Sequence, residues 1–208
     1  MKWVAAVLLT LALAAPATAQ TFAVRGFGDV GNTTFTAAQS FAAVLGSRNG
    51  TVFGGGIEAA ARNVFVSVRA SRFKKSGTRV FVFNGERFDL GIPDDVTITP
   101  VEVSGGYQFA RPGATVIPYA GGGVGWHRYQ ETSQFADGSD DVDQTFRGYQ
   151  VLGGAQFRVS RILGIGGEVE WATVPNAIGQ NPSSVAKAYN ETNLGGTTVR
   201  VKVLVGSW

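Results

Sequence analysis

The sequence has no cysteine, a single histidine and a single methionine among its 208 residues, and only 16% of those residues are charged. The lack of cysteine excludes a disulfide framework, a thiolate metal site and a cysteine nucleophile. One histidine cannot supply the several ligands of a histidine-based metal site. The formal net charge of +3 comes without any long block of lysine and arginine, which argues against a nucleic-acid partner. We therefore expect no cofactor and no nucleic-acid binding.

Glycine, in contrast, is abundant: the chain has 29 glycines, spread along its length. Each glycine inside a helix costs about 1 kcal/mol relative to alanine, so a mostly helical enzyme is disfavoured. Hydrophobic residues make up 44% of the chain, which excludes a disordered protein. The composition therefore favours a glycine-rich β protein.

The one long apolar run, residues 4–15, lies near the N-terminus behind the positive charge of Lys2. It is too short to span a bilayer as a helix, and residues 17–19 form a small-x-small cleavage motif. We expect residues 1–19 to be a cleaved signal peptide, with an uncleaved anchor as the alternative, and residues 20–208 to be the exported domain. Because no second long apolar run follows, any membrane-spanning part of that domain must be a closed β-barrel.

Eight segments of the exported domain alternate apolar and polar residues with the period of two that is typical of strands. The third is the clearest, because Val64, Val66 and Val68 alternate with Phe65 and Arg69. Short connections alternate strictly with long ones along the series. The predicted strands are residues 22–30, 51–61, 64–73, 96–109, 116–130, 145–159, 162–174 and 197–208.

This layout of an even number of strands, joined alternately by short turns and long loops, is typical of outer-membrane barrels. Each segment is long enough to cross a bilayer as a tilted strand. We therefore predict an all-β fold: a monomeric, eight-stranded antiparallel up-and-down transmembrane β-barrel with short periplasmic turns and long extracellular loops. The alternative is a soluble calycin-like barrel, which would carry its apolar residues inside.

Two further features are a glycine-rich run at residues 118–123 and the C-terminal aromatic residue Trp208. With the signal segment and the alternating segments, they resemble the small bacterial outer-membrane β-barrel family, which includes OmpA transmembrane domains and OmpX-like and OmpW-like proteins. The resemblance implies a location in the outer membrane of a Gram-negative bacterium. It also makes Trp208 a candidate assembly signal for the barrel-assembly machinery.

Trp208 is out of phase with the preceding valines, so either Gly206 marks a bulge or the last strand ends early. Pro118 cannot donate to a ladder, which predicts a local irregularity.

The polar faces of the segments predict a charged barrel interior. An eight-stranded barrel is just wide enough for side chains to fill it, and an isolated buried charge costs several kcal/mol. We therefore expect a plugged core of paired charges, with a selective pore or proton path as the alternative. The candidate lumen charges are Arg25, Glu58, Arg69, Glu102, Glu168, Glu170, Arg200 and Lys202.

His127 calls for comparison with eight-stranded barrels that modify lipid A, which use a histidine with a nearby serine or acidic partner. The sequence after His127 has no serine two residues on, and general-base catalysis needs a hydrogen-bonded partner for the imidazole. We predict that the protein is not an enzyme and that His127 is a polar residue at the membrane interface.

An acidic loop carries the weak calcium candidates Asp137, Asp140, Asp141 and Asp143. The loop lacks the distal glutamate of an EF-hand, so we expect a solvated loop without metal.

Asn84 and Gly85, between residues 78–83 and 86–90, give the strongest short-range signal for a hairpin, which we place outside the cell. Its aromatic residues Phe81, Phe83 and Phe88 indicate either a recognition surface or strands that simply extend beyond the bilayer. The cations at its base are candidates for contact with lipopolysaccharide phosphates; they are Arg72, Lys74, Lys75 and Arg79.

The first long loop carries a predicted surface helix at residues 36–45, with a threonine cap and a glycine stop. Its apolar side chains are expected to dip into the membrane interface or to cover the mouth of the barrel.

The candidates for aromatic belts at the headgroup level are Tyr107, Trp126, Tyr129, Tyr149 and Trp171.

Two functions follow from these patterns. The first is a structural or surface-interaction role through the extracellular loops, with outer-membrane lipid and lipopolysaccharide as partners. The alternative is a narrow channel for ions or small hydrophobic molecules, with the first loop as its lid.

Overall fold

The structure is a computed structural model that describes residues 22–83, 86–111, 113–133, 142–181 and 184–208. Eight antiparallel strands close into one barrel, in which each strand pairs with the next and the last pairs with the first. The predicted fold class is confirmed, whereas the signal peptide predicted at residues 1–19 lies outside the described residues. The strands are β1 (Phe22–Phe35), β2 (Asn49–Ala61), β3 (Val64–Phe83), β4 (Glu86–Gln108), β5 (Val116–Ser133), β6 (Val142–Arg158), β7 (Leu163–Thr173) and β8 (Gly196–Gly206).

The connections divide the barrel into two ends. The short links from β2 to β3, β4 to β5 and β6 to β7 lie at one end, which we call the turn end. The other links lie at the opposite end, the loop end, and contain the helices α1 (Ala38–Leu45) and α2 (Val185–Ala188). Helix α1 starts two residues later than predicted.

Alternation along the strands places apolar side chains outside the barrel and charged ones inside. On β3, Val64, Val66 and Val68 are exposed, whereas Phe65 and Arg69 are buried. Exposed valine, isoleucine, phenylalanine and tryptophan side chains continue around the barrel as a belt, as a transmembrane barrel requires. The soluble alternative with an apolar interior is therefore wrong. Among the described residues, no helix has both the length and the hydrophobicity to cross a membrane.

Glycines on the inner face make room for large side chains in the narrow barrel. A Cβ atom on Gly121 would lie 2.5 Å from the carbonyl oxygen of Gly105 and 3.1 Å from the Phe65 ring. A Cβ atom on Gly154 would lie 2.7 Å from the Tyr119 hydroxyl. The glycines therefore allow Phe65 and Tyr119 to pack edge to face, with ring centroids 5.8 Å apart.

β3 and β4 are the longest strands, with 20 and 23 residues. They continue together as a hairpin at the loop end, where residues 86–89 and Pro93 pair with β3 alone. The strands extend continuously, with one register shift between Thr78 and Val80. The sequence pattern ended the third strand at residue 73 and began the fourth at residue 96, whereas β3 reaches residue 83 and β4 begins at residue 86. The pattern missed these extensions because the hairpin has exposed residues on both faces, so the alternation of apolar and polar residues fades. The predicted turn at Asn84 and Gly85 lies outside the described residues.

The irregularity expected at Pro118 is absent, and that prediction is wrong. The ladder between β5 and β6 runs through Pro118 opposite Ala155 without a register shift. On the other side, β4 ends at Gln108, and the next residue, Phe109, donates its N–H to the Pro118 carbonyl. The missing N–H of Pro118 therefore falls at the end of a ladder, where it interrupts nothing.

Candidate functional site

Charged side chains fill the interior of the barrel, and we call them the lumen network. All of them are buried. The eight charged residues predicted from the sequence to face the lumen all point inward. Asp29 points inward as well, and the same alternation places it on the polar face of its strand. The lumen network comprises Arg25, Asp29, Glu58, Arg69, Glu102, Glu168, Glu170, Arg200 and Lys202.

Arg69 is the hub of this network. Its Nη2 donates to Glu168 Oε1 at 2.6 Å, and its Nη1 donates to Glu170 Oε2 at 3.0 Å. Its Nε lies 3.3 Å from Asp29 Oδ2. Two further cations share the same carboxylates: Arg200 Nη1 lies 2.8 Å from Glu170 Oε2, and Lys202 Nζ lies 2.6 Å from Glu168 Oε2. The cations and carboxylates therefore neutralise one another across the lumen.

A second group lies nearer the turn end. Arg25 Nη1 donates to Gln156 Oε1 at 2.6 Å, and its Nη2 lies 3.4 Å from Glu58 Oε1. Gln108 Nε2 donates to the same Glu58 oxygen at 2.9 Å. Uncharged amides thus satisfy the carboxylate and the guanidinium that face each other here.

Strand register explains why these pairs form. Arg25 lies opposite Glu58, Arg69 opposite Glu102, and Glu168 opposite Arg200 on neighbouring strands. Directly opposed side chains on one face of a sheet lie close enough to interact. Sequence alternation gives the face of each residue but not this register.

An apolar lid covers the loop end of the lumen. It combines residues of β1, β3 and β4 with α1 and the last loop, and its aromatic centre is a stack of Phe35 on Phe41 with ring centroids 4.1 Å apart. Of the two expectations for the first loop, the apolar face of α1 covers the mouth. The lid comprises Phe35, Ala37, Phe41, Leu45, Phe73, Val96, Ile98, Val174, Ala177 and Leu194.

Glu191 fastens the lid from the last loop. Its carboxylate accepts hydrogen bonds from the backbone N–H groups of Gln39 and Ser40 at 3.0 and 2.8 Å, and from the Ser40 hydroxyl at 2.6 Å. The predicted threonine cap of α1 is wrong, because the N-cap is Ala37 and makes no side-chain cap bond. A distant acidic side chain instead satisfies the start of the helix.

His127 and Tyr129 both face inward, which corrects two predictions. His127 is buried below the lid. Its ring packs against Gly148, where a Cβ atom would lie only 2.6 Å from the His127 Nε2. Tyr129 packs against the lid and donates to Glu131 at 2.8 Å. Trp126 points outward and is exposed. Because side chains alternate along a strand, His127 and Tyr129 point into the barrel. His127 Nε2 has no hydrogen-bond partner among the described residues, and the expected lack of enzymatic activity stays a prediction.

The other belt candidates, Tyr107, Trp126, Tyr149 and Trp171, are exposed on the outer surface.

Trp208 lies at the turn end. β8 ends at Gly206, so the last strand ends early, which was one of the two expectations. The indole ring of Trp208 lies 4.5 Å from the Arg25 guanidinium carbon. It also occupies the space beside Gly164, where a Cβ atom would overlap with the ring. The ring therefore lies at the turn end of the lumen beside Arg25, and the role of Trp208 as an assembly signal stays a prediction.

The predicted phosphate-binding cations lie on β3 near the loop end. An open groove of about 580 Å³ on the outer surface is lined by Arg72, Lys74 and Lys75, with the exposed Phe53 directly opposite Arg72. Lys74 Nζ forms an exposed ion pair with Asp95 at 2.9 Å, and Lys75 Nζ donates to the Asn49 carbonyl at 3.3 Å. Arg79 lies outside the groove, close enough to Asp94 to affect its pKa.

Asp94 and Asp95 lie beyond the apolar belt and have opposite electrostatic surroundings. Burial raises the pKa of Asp94 above its usual range, and the carboxylate of Glu131 raises it further. A hydrogen bond from Ser76 lowers the pKa of the exposed Asp95, and Lys74 lowers it further.

The weak calcium candidates Asp137, Asp140 and Asp141 lie outside the described residues. Asp143 belongs to β6 and accepts a hydrogen bond from Arg128 Nε at 2.8 Å. In the part of the chain that the structure describes, no group of three or more metal-binding side chains comes together.

Comparison with known proteins supports the same architecture. A family model described as outer membrane protein beta-barrel domain matches residues 4–203. The crystal structure of Neisserial surface protein A is 14% identical, with a TM-score of 0.53, covering 89% of this chain and 96% of that one. A major outer membrane protein from Thermus thermophilus is 8% identical, with a TM-score of 0.58, covering 89% and 99%. At such identities the likeness shows the fold alone. No curated protein matches the sequence significantly.

Proposed function

Because the chain belongs to the family of outer membrane protein β-barrel domains, we propose that it is a non-conducting barrel with a structural or surface-interaction role. The loop end faces the outside of a Gram-negative cell in this proposal. The observation that carries it is the filled lumen: an apolar lid covers the ion pairs around Arg69, and Trp208 packs on Arg25 at the other end.

The β3–β4 hairpin is the interaction surface in this proposal. Phe81, Phe88 and Leu90 are 48%, 46% and 51% exposed, although they lie beyond the barrel wall. Apolar side chains held in water by a paired hairpin are typical of a contact surface for another molecule.

The groove beside Arg72 is the lipopolysaccharide contact. The exposed Phe53 and the three cations line the same groove, with Phe53 directly opposite Arg72. A lipid whose chains pack on the apolar belt would therefore bring its phosphates to Arg72, Lys74 and Lys75. Charged donors at a phosphate surface form strong hydrogen bonds.

Planar-bilayer recording tests the closed lumen. We expect no stable single-channel steps from the purified barrel, because ions would have to break the buried pairs of Glu168 and Glu170. Steps that shift in the Glu168→Gln variant would contradict the proposal and favour the alternative, a narrow channel for ions or small hydrophobic molecules. The continuous run of polar side chains from Arg25 to His127 is the observation that supports that alternative.

Lipopolysaccharide binding tests the groove. A variant with Gln at Arg72, Lys74, Lys75 and Arg79 should bind lipopolysaccharide at least about tenfold more weakly in a pull-down titration. The matched control replaces four exposed cations away from the groove with Gln, at positions 62, 111, 147 and 187, so that the change in net charge is the same. Unchanged binding in the first variant, or an equal loss in both, would refute the lipopolysaccharide contact.

A further inference from the structure

The short turns carry an unusual charge of one sign. Residues 61–63, 109–115 and 158–162 contain four arginines and no aspartate or glutamate. Arg62, Arg111 and Arg161 are exposed, and Arg158 is half-buried. In the lumen network and at Lys74, by contrast, cations are paired with carboxylates. The turn end is therefore a positive surface without an internal counter-charge from these turns.

Two of these arginines line a cavity. An open cavity of about 740 Å³, which we call the turn-end pocket, lies between the link from β6 to β7 and the C-terminal residues. Its polar lining is Arg158, Ser160, Arg161, Ser207 and Trp208. The side chains of this lining supply guanidinium, hydroxyl and indole donors and no carboxylate.

Trp208 adds a second observation at this pocket. Its indole Nε1 is buried and has no hydrogen-bond acceptor among the described residues. A buried donor in a native protein is normally paired. An acceptor oxygen in the pocket would reach this nitrogen only after the indole ring moves.

The apolar side of the pocket identifies the class of ligand. Val159 and Ile162 also line it, and they are 59% and 65% exposed. They continue the lipid-facing belt, with Phe157 and Ile165 as outward neighbours on the adjoining strands. The pocket thus joins the hydrocarbon region to a group of phosphate-binding donors, which suits a molecule that has both parts.

We propose that the turn-end pocket binds an anionic glycerophospholipid of the membrane leaflet at the turn end. Its phosphate contacts Arg158 and Arg161, and its acyl chains lie along Val159 and Ile162. A soluble phosphate or a carboxylate-bearing cell-wall polymer would use the arginines but not the apolar wall. The juxtaposition of both surfaces therefore favours the lipid.

Native mass spectrometry tests this assignment. The folded barrel is placed in nanodiscs that contain phosphatidylglycerol and phosphatidylcholine in equal amounts, and the lipids retained after release are counted. We expect phosphatidylglycerol to be retained in preference to phosphatidylcholine by at least about tenfold. The double variant Arg158→Gln, Arg161→Gln should lose this preference.

The matched control is the double variant Arg62→Gln, Arg111→Gln, which removes the same charge from the same end but leaves the pocket intact. It should retain the preference. Equal loss in both double variants would mean a diffuse electrostatic effect and overturn the pocket, as would the absence of any preference in the unaltered barrel. Binding of inorganic phosphate or cell-wall fragments to the detergent-solubilised barrel as tightly as phosphatidylglycerol would overturn the assignment to a lipid. The single variant Arg161→Gln, at an exposed turn position, provides the same comparison if the double variant folds poorly.

Discussion

Arg69 is the residue on which the interior charges depend most, because it forms ion pairs with four carboxylates, those of Asp29, Glu102, Glu168 and Glu170. Replacing it with methionine would keep much of its volume but leave those carboxylates buried with less positive charge. Removing one partner of a buried ion pair costs about 3–5 kcal/mol. We expect Arg69→Met to lower the free energy of unfolding of the micelle-bound barrel by about that amount in urea titrations.

Arg72→Met is the matched control for this measurement. Arg72 belongs to the same strand but points outward and is exposed, so its replacement should change stability by no more than about 0.5 kcal/mol. Equal effects of the two substitutions would show that the lumen network contributes little to stability.

Asp94 should make the base of the hairpin sensitive to pH. Its raised pKa means that the folded state holds the proton more tightly than the unfolded chain, so the stabilisation is present in acid and is lost as the pH rises through the folded-state pKa. Relative to the intrinsic, base-catalysed exchange rate, the protection of the β4 and β5 amides near Asp94 should therefore fall towards alkaline pH. Asp94→Asn should remove that dependence, by an effect on the order of 1 kcal/mol.

Asp95→Asn gives the opposite control. The lowered pKa of Asp95 means that its stabilisation is present at neutral pH and is lost on acidification. A hairpin that responds to pH in the same direction in both variants would contradict the assigned surroundings of the two aspartates.

At the scale of single elements, the sequence predicted what depends on period and missed what depends on pairing between distant segments. The alternation around Val64 and Arg69 placed the inner and outer faces correctly because one side contacts lipid and the other does not. The register that brings Arg25 opposite Glu58 comes from strand pairing, which a single sequence does not encode locally. The cap of α1 by Glu191 joins residues 151 positions apart, so no local helix signal could reveal it.

The lid can be tested at its fastening point. Glu191→Gln removes the charge that accepts the N–H groups of Gln39 and Ser40, and a helix cap of this kind contributes about 0.5–2 kcal/mol. We expect faster hydrogen exchange in α1 by up to about thirtyfold, with the barrel strands unaffected. Lys187→Gln, an exposed position in the same loop, serves as the control and should leave α1 unchanged. Unaltered exchange in the Glu191 variant would mean that the packing of Phe41 alone holds the lid.

At the scale of the whole molecule, the two ends of the lumen differ in chemistry. Apolar side chains cover the loop end, Trp208 packs on Arg25 at the turn end, and paired charges fill the space between them. The groove on the outer surface and the turn-end pocket both lie where an apolar belt meets cations. This shared combination of an apolar surface and cations is the reason that we propose lipid ligands for both sites.

A last prediction concerns the membrane as the solvent of the outer face. Protein expressed with its own N-terminal segment should appear in the outer-membrane fraction, and its band should change mobility on boiling, because a closed ladder resists detergent until it is heated. Within that folded barrel, Val68→Arg tests the environment directly. Val68 is an outward residue of β3 near the middle of the apolar belt, 49% exposed in the isolated chain. In water such a substitution would change stability by about 0.5 kcal/mol or less, whereas arginine near the middle of a bilayer costs about 2–4 kcal/mol. A loss of that size in lipid vesicles identifies the outer face as lipid-facing, and a tolerated arginine in a soluble product would contradict the membrane assignment.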